Sequence, residues 1–129
     1  MTSLSDAWLD GDPSARWRSG SVVGSGTGAR AAGASLLEVD PGCRLPRHTD
    51  SAEEVIVVID GEAEVTVGGE RTPARGGAMV LVPEMVPHEV RNAGEGVLRF
   101  AAVYAAPDVV TTYESPVQPA GEREREATA

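Results

Sequence analysis

Two stretches of the sequence, GCRLPRHTDSAEEVIVVIDG at residues 42–61 and GAMVLVPEMVPHEVRN at residues 77–92, contain both histidines of the chain. Each stretch combines glycine and proline, which favour turns, with short runs of β-branched residues, which favour strands. The sequence between them turns at Gly68-Gly69. Short strands separated by turns, without a helical period, predict an all-β antiparallel sandwich or barrel.

The same pattern continues on both sides of these stretches. The all-apolar run 55–59 is typical of a strand buried on both faces, and residues 79–82 predict another buried strand. Asp60-Gly61 predicts a tight hairpin after the first of them. Further strands are expected at 35–39, 63–67, 88–92 and 97–105.

The chain is expected to have three parts. Residues 1–33 form an N-terminal arm with strands, residues 34–113 form the barrel, and residues 114–129 form an acidic tail. The tail contains few apolar residues, which predicts disorder after about Pro116.

The N-terminal arm contains both tryptophans, Trp8 and Trp17. Because large aromatic side chains usually bury, we expect the arm to pack on the barrel or on a second subunit. Its segment Gly24–Gly28 lacks the following lysine and the helix of a phosphate-binding loop, so it predicts a flexible connection between strands.

Size and charge exclude several classes of function. With 129 residues the chain is long enough for one domain with its own core. A net charge of −9 repels phosphate backbones, so we expect no nucleic-acid partner. No run approaches the roughly 20 apolar residues that span a bilayer, and the N-terminus does not resemble a signal peptide. With Cys43 as its single cysteine, the protein is predicted to be cytoplasmic and not bound to membranes.

The spacing of the residues in the two stretches resembles the two motifs of the cupin superfamily. The first motif is Gly42, five residues, His48, one residue, Asp50, three residues, Glu54, six residues and Gly61. The second is Gly77, five residues, Pro83, four residues, His88, three residues and Asn92. Asp50 stands where the family has a second histidine, and Met85 replaces a glycine.

This resemblance covers roughly residues 34–105. It implies an antiparallel double-stranded β-helix, which is a jelly-roll-like barrel, and a homodimer. It also implies that His48, Asp50, Glu54 and His88 occupy the metal-ligand positions of the family.

The residues themselves also support a metal site. Histidine is the commonest ligand of transition metals, and both histidines of the chain lie in the two motifs. His48 and Asp50 are two residues apart and point to one face of an extended segment, and Glu54 lies an even number of residues further on. His88 would arrive from a neighbouring strand. Two imidazoles and a carboxylate resemble the facial arrangement of non-haem Fe(II) sites, so we predict one divalent ion: Fe, Mn, Ni or Zn.

Two positions leave alternatives open. Glu53 is the alternative ligand to Glu54, although the spacing to Gly61 favours Glu54. Asp50 is either a ligand, which brings the charge of a divalent site to zero and suits harder ions such as Mn²⁺, or a general base in the pocket.

Three further residues are assigned to the substrate pocket. Phe100 and Tyr104 have the same parity on the last long strand, so they share its inner face. Met85, in the loop before His88, would form an apolar lip. Ordinary packing is the alternative for all three.

The leading hypothesis is a metal-dependent enzyme acting on a small organic molecule. Its chemistry is either that of a dioxygenase or a redox-neutral isomerase, lyase or cyclase reaction. The second hypothesis is a non-catalytic module that binds a small ligand. The third is a barrel that has lost its metal, with Asp50 marking the loss.

Overall fold

The computed structural model describes residues 10–12, 16–117 and 121–129. These residues form strands almost throughout, with one 3₁₀ turn at Ser25–Thr27. The strands are β1 (Asp10–Asp12), β2 (Trp17–Val23), β3 (Gly33–Val39), β4 (Arg44–Asp50), β5 (Glu54–Asp60), β6 (Glu62–Val67), β7 (Glu70–Arg75), β8 (Met79–Val82), β9 (His88–Asn92), β10 (Leu98–Tyr104), β11 (Val109–Val117) and β12 (Glu122–Ala127).

The strands pair antiparallel in two six-stranded sheets. Sheet 1 has the order β1-β2-β3-β10-β5-β8, and sheet 2 has the order β12-β11-β4-β9-β6-β7. The sheets pack face to face, because alternate residues of each strand are apolar and buried. The protein is therefore a jelly-roll-like double-stranded β-helix, as predicted. The largest buried apolar side chains are those of Trp17, Phe100, Leu36, Ile56 and Leu98.

Asp60-Gly61 does not form the predicted hairpin. β5 lies in sheet 1 and β6 lies in sheet 2, so this turn carries the chain from one sheet to the other. Gly61 has a φ of +99°, and a Cβ there would lie 3.2 Å from the Cα of Leu98. The Asp-Gly pattern correctly predicted a turn. Two residues do not determine which sheet the following strand joins.

The apolar runs in β5 and β8 are buried on one face only. The side chains of β5 alternate between buried and partly exposed, and Ile59 is 38% exposed. β8 is the edge strand of sheet 1, where Met79 is 73% exposed and Leu81 is 58% exposed. The prediction of strands buried on both faces was wrong, because no element of the described chain covers the outer face of sheet 1 at these residues.

Both ends of the chain add strands to the barrel. Trp17 is buried, and its ring centroid lies 5.8 Å from that of Tyr113, which bears out packing of this tryptophan on the barrel. Trp8 lies outside the described residues. The predicted disorder after Pro116 is contradicted by β12, which pairs with β11. Composition missed this strand because its ladder consists of backbone hydrogen bonds, which charged side chains do not prevent.

Asn92, the last residue of the second motif, connects the two sheets. Its buried side-chain amide donates hydrogen bonds to the carbonyl oxygens of Val39, at 2.9 Å, and Gly96, at 2.7 Å. Its side-chain oxygen accepts from the N–H of Gly94 at 2.9 Å. Asn92 therefore holds the turn after β9 against sheet 1.

Among the described residues, no helix is long and apolar enough to cross a membrane.

Candidate metal centre

The two histidines lie side by side on neighbouring strands. β4 pairs with β9, and His48 is directly opposite His88 in that register. Their ring centroids are 4.1 Å apart, and both side chains are buried. The register of β4 with β9 therefore brings the two imidazoles together.

The two carboxylates reach the histidines from different sheets. Asp50 is the last residue of β4, in sheet 2, and Glu54 is the first residue of β5, in sheet 1. Both are at most 3% exposed, whereas Glu53 is exposed. The structure therefore decides between the two glutamates: it is Glu54 that lies in the site.

A backbone carbonyl orients each imidazole ring. Nδ1 of His48 lies 2.6 Å from the oxygen of Pro46, and Nδ1 of His88 lies 2.9 Å from the oxygen of Val86. A carbonyl only accepts, so each Nδ1 carries the proton of the neutral ring and donates it. The Nε2 of each ring is then free to bind a metal, and this is the usual role of such a partner at a metal-binding histidine.

The donor atoms converge at metal-like separations. Nε2 of His88 lies 3.1 Å from Oδ2 of Asp50 and 3.0 Å from Oε1 of Glu54, and Nε2 of His48 lies 3.5 Å from Oδ2 of Asp50. Ligand atoms about 2.1 Å from one ion are about 3.0 Å apart at right angles and about 3.4 Å apart at the tetrahedral angle. His48, Asp50 and His88 are therefore close enough to hold one ion, and Glu54 lies beside them through its contact with His88.

Three of these atoms are buried without a hydrogen-bond partner among the described residues: Oδ2 of Asp50, Oε1 of Glu54 and Nε2 of His88. Their mutual distances are short, but the atoms are not aligned as donor and acceptor. Buried polar atoms are rarely left unpaired in native proteins, and when they are, an ion or water is a common explanation. This donor set fits a divalent metal.

Thr111 orients Asp50. The two residues are opposite each other in the pairing of β11 with β4, and the Thr111 hydroxyl donates a 2.6 Å hydrogen bond to Oδ1 of Asp50. The other oxygen, Oδ2, is thereby directed towards the histidines. The sequence analysis missed Thr111, since no motif contains it and only the pairing of the two strands reveals it.

Burial and charge set the protonation of the metal-free cluster. Burial opposes ionisation of Asp50, but the neighbouring imidazoles outweigh burial and hold the pKa of Asp50 well below its usual range. Burial raises the pKa of Glu54, and the charge of Asp50 adds to this. Burial lowers the pKa of His88, but the two carboxylates outweigh it and raise that pKa to about 10. The metal-free cluster therefore retains a proton that a divalent cation would displace.

The cluster opens into a cavity of about 400 Å³. Its wall is rich in hydroxyl groups, those of Ser19, Ser21, Ser35, Tyr104, Thr111 and Tyr113. Burial raises the pKa of both tyrosines, so their phenols stay protonated at neutral pH and can donate hydrogen bonds. The cavity has the size of a site for a small molecule.

Of the three residues assigned to the pocket from the sequence, the structure places only Tyr104 in the cavity wall. Phe100 shares the inward parity of Tyr104 but is buried in the core. Met85 is 58% exposed and lies outside the wall, and its φ of +60° lies in the left-handed region, which a glycine adopts without strain. Tyr113 and Arg125 line the cavity and were not predicted.

Comparisons with known proteins agree with this fold and site. Residues 35–104 match the cupin domain family. An uncharacterized protein of Streptomyces coelicolor is 33% identical over 73 residues, which cover 57% of this chain and 69% of that protein.

Solved structures with the same fold include three enzymes. The oxalate decarboxylase of Lactobacillus farciminis matches with a TM-score of 0.73 and 20% identity, over 81% of this chain and 32% of that chain. The polyketide cyclase RemF of Streptomyces resistomycificus matches with a TM-score of 0.68 and 19% identity, over 81% and 77%. The oxalate decarboxylase of Bacillus subtilis, which has Mn(II) centres, matches with a TM-score of 0.65 and 21% identity, over 76% and 26%.

At these identities the similarity shows the fold alone, and the chain spans about a third of the Lactobacillus enzyme. The family match covers more than half of the chain, and the two motifs lie within it and form the buried cluster. The protein therefore belongs to the cupin family.

Proposed function

We propose that the protein is a metal-dependent enzyme that acts on a small organic molecule in the cavity beside His48, Asp50, Glu54 and His88. The observation that carries this proposal is the convergence of buried donor atoms, three of them without a hydrogen-bond partner in the described chain, at the end of a cavity of about 400 Å³. A binding site with convergent polar groups and perturbed pKa values is typical of a catalytic pocket.

The charge of the cluster favours a metal over a purely structural role. Two buried carboxylates, Asp50 and Glu54, lie beside two imidazoles, and the one proton that the metal-free cluster retains does not balance both carboxylates. Burying carboxylates without full pairing is costly, and a divalent cation would balance both charges. Two nitrogen and two oxygen donors are compatible with Fe, Mn, Ni or Zn, and the Mn(II) centres of the Bacillus subtilis enzyme support Mn among them.

A bound divalent metal would supply Lewis acidity, polarising an oxygen atom of the substrate. The chain itself contributes orientation and proton donors. Thr111 holds Asp50 in place, and the phenols of Tyr104 and Tyr113 are protonated donors in the wall. If Asp50 does not bind the metal, its low pKa keeps it ionised next to the cavity, where it can act as a general base. The dioxygenase and the redox-neutral chemistries both fit this arrangement.

The homodimer and the cytoplasmic location remain proposals. The outer face of sheet 1 supports pairing with a second copy, because Val55, Leu81 and Val103 form one cross-strand row there, and the last two are more than 40% exposed. Apolar rows of this kind are common in subunit interfaces. Light scattering coupled to gel filtration tests the dimer, and a monomeric mass over a hundredfold range of concentration would contradict it.

Metal analysis tests the proposed enzyme class. Protein purified without added metal should contain a divalent ion or take up about one per chain, with a rise in melting temperature. Glu54→Gln should lose this uptake, whereas Glu53→Gln should keep it, because the two adjacent glutamates differ in burial and only Glu54 reaches the cluster.

A content below about 0.1 ion per chain, without a rise in melting temperature on adding Fe²⁺, Mn²⁺, Ni²⁺ or Zn²⁺, would refute the metal centre. Oxygen consumption by the iron-loaded protein during a screen of small organic substrates separates the two chemistries. Metal uptake without turnover of any substrate class would instead favour the non-catalytic binding module.

A further inference from the structure

One wall of the cavity comes from the end of the chain. β12 is the edge strand of sheet 2, and residues 125–129 line the cavity opposite Tyr104 and Ser35. The second of the two motifs ends at Asn92, so nothing in those motifs accounts for this wall. The residues of this wall are therefore separate from the motif residues that form the metal cluster.

Arg125 projects from this wall into the cavity. Asp50, Thr111 and Arg125 form one row across three neighbouring strands, since Thr111 is opposite both other residues in the register. Residues in such a row point to the same face, so Arg125 shares the inner face of Thr111, which contacts Asp50 directly. Neighbouring strands are about 4.8 Å apart, which places the backbone of Arg125 roughly 10 Å from that of Asp50.

The guanidinium of Arg125 is incompletely paired. Its Nη1 is buried and has no hydrogen-bond partner among the residues that the structure describes. Its charge lies near the phenol of Tyr113, where burial raises the phenol pKa and the guanidinium opposes that rise. Arg123, two residues earlier, is exposed, and its Nε donates to the backbone oxygen of Tyr113. Arg125 is thus a half-buried cation in the cavity wall, with one buried donor left unpaired among the described residues.

The charges select a singly charged ligand. A divalent ion with Asp50 and Glu54 has a formal charge of zero, so the guanidinium of Arg125 contributes the remaining positive charge of the cavity. Glu126 also lines the cavity, but it is exposed, so solvent screens its charge more than the charges of the buried Asp50 and Glu54. One carboxylate group balances Arg125 and matches its planar fork with two parallel hydrogen bonds. A phosphate dianion would leave the cavity with an excess negative charge beside two buried carboxylates.

We propose that Arg125 binds the carboxylate of a small organic monocarboxylate and so holds that ligand in the cavity between β12 and the metal cluster. The inference rests on the proposed metal centre for the position of the ligand's other end. The recognition of the carboxylate depends on Arg125 alone. Arg125 is a binding residue in this proposal, and it takes no part in the chemical step.

The wall that carries Arg125 is held by close packing on a glycine-rich turn. The N–H of Gly26 donates a 2.9 Å hydrogen bond to the oxygen of Thr128. A Cβ at Gly24 would overlap the same oxygen, although the φ of Gly24 is −177°, a value any residue adopts. The absence of a side chain at Gly24 therefore serves the approach of residue 128 and not the local backbone conformation.

The test measures binding of acetate, pyruvate and benzoate by calorimetry to Mn²⁺-loaded and to metal-free protein. Benzamide, which has the shape of benzoate without its charge, and inorganic phosphate serve as comparisons. We expect the wild type to bind at least one of the acids and to prefer benzoate to benzamide. Arg125→Gln should weaken acid binding by about 10- to 100-fold, as expected for a hydrogen-bonded ion pair. Arg125→Lys should restore part of it.

Arg123→Gln is the matched control, since it removes the same charge from an exposed residue of the same strand that does not line the cavity, and it should leave the affinity within about twofold. Gly24→Ala should weaken acid binding by displacing the wall, whereas Gly69→Ala should not, because a Cβ at Gly69 meets nothing within 4 Å. An unchanged affinity in Gly24→Ala would contradict the contribution of β12. Metal content is measured for every variant and should equal that of the wild type.

The result separates this inference from the proposed function. Equal affinity of the wild type and Arg125→Gln for the acids, absence of binding of all three acids, or preferred binding of phosphate would overturn the role of Arg125 and leave the metal centre intact. If the protein binds no metal, the proposed function fails. Binding of an acid to the metal-free protein that depends on Arg125 would still support this inference, and its absence would overturn it.

Discussion

Raising the pH above about 6.5 should destabilise the metal-free protein and leave the stability of the metal-loaded protein nearly unchanged. The ordinary pKa of histidine is about 6.5, and that of His88 is raised to about 10. A group whose pKa is raised by folding contributes stability below its unfolded pKa and loses that contribution as the pH rises towards its folded pKa. Glu54 has the same sign, since its pKa is also raised. The pKa of Asp50 is lowered, so its contribution changes only in acid and stays constant here.

The size of the effect follows from one proton. A cluster that retains one proton after folding loses at most about 1.4 kcal/mol of unfolding free energy per pH unit, or about 2.7 kcal/mol between pH values of about 6.5 and 8.5. Metal binding must displace the same proton, so the affinity rises up to about tenfold per pH unit in this range. At a fixed excess of metal this gain in binding offsets the loss of stability of the metal-free protein, so the stability of the loaded protein stays nearly constant in this range.

Guanidinium chloride denaturation at three pH values, followed by tryptophan fluorescence, measures both slopes. One series contains a chelator and the other a saturating concentration of Mn²⁺. His88→Gln should reduce the slope of the metal-free series, and Glu53→Gln should change neither series, because Glu53 is exposed next to the cluster. Equal slopes with and without metal, or a metal-free protein that becomes more stable as the pH rises, would refute the reasoning.

Three further substitutions test the local arguments. Thr111→Val removes the hydroxyl that orients Asp50 and should weaken metal binding by about 10- to 100-fold in a chelator competition, whereas Thr112→Val on the same strand should not; equal affinities would rule out the orienting role. Gly61→Ala should destabilise the fold by at least about 1 kcal/mol in chemical denaturation, because its φ is +99° and the backbone of Leu98 is close, and Gly69→Ala is the control with open space. Met85→Gly should stabilise the protein by up to about 1 kcal/mol, since relief of a left-handed conformation exceeds the added entropy of the unfolded chain, and Met85→Ala should give no gain; a lower melting temperature for the glycine variant would contradict this.

The metal cluster was predictable because local rules determine its members. The parity of His48 and Asp50 follows from the two-residue period of a strand, and this period also distinguishes Glu54 from Glu53 once the strand begins at residue 54. The resemblance of the two motifs to a known family predicted, in addition, that the residues of the first and second stretches share one site. The structure then brought all four residues together in one buried cluster.

The cavity wall was not predictable in the same way. Phe100 and Tyr104 have the same parity, yet only Tyr104 lines the cavity, and Phe100 is buried in the core. Parity determines the face of the sheet, whereas the position along the strand determines whether that face meets the core or the cavity. Thr111 and Arg125 belong to β11 and β12, and their approach to Asp50 depends on the register of three strands. The alternation of side chains along a single strand does not predict how three strands pair.

The burial of the apolar runs also depended on what covers them. Residues 79–82 are apolar enough for an interior strand, but β8 lies at the edge of sheet 1, with Met79 and Leu81 exposed. The charged residues of β12 indicated disorder, but the free edge of β11 provided a backbone ladder for them. Side-chain composition reports the preferences of a segment, whereas its neighbours decide whether those preferences are met.

The sequence by itself determined the metal-binding residue types and the strands β3, β5, β6, β8, β9 and β10, since these depend on local periodicity and on the spacing of a few side chains. Only the tertiary structure decided that Asp60-Gly61 joins two sheets, that Thr111 orients Asp50 and that Arg125 faces the cavity. Each of these depends on pairings between residues tens of positions apart, which hydrogen-bond register and sheet packing select together.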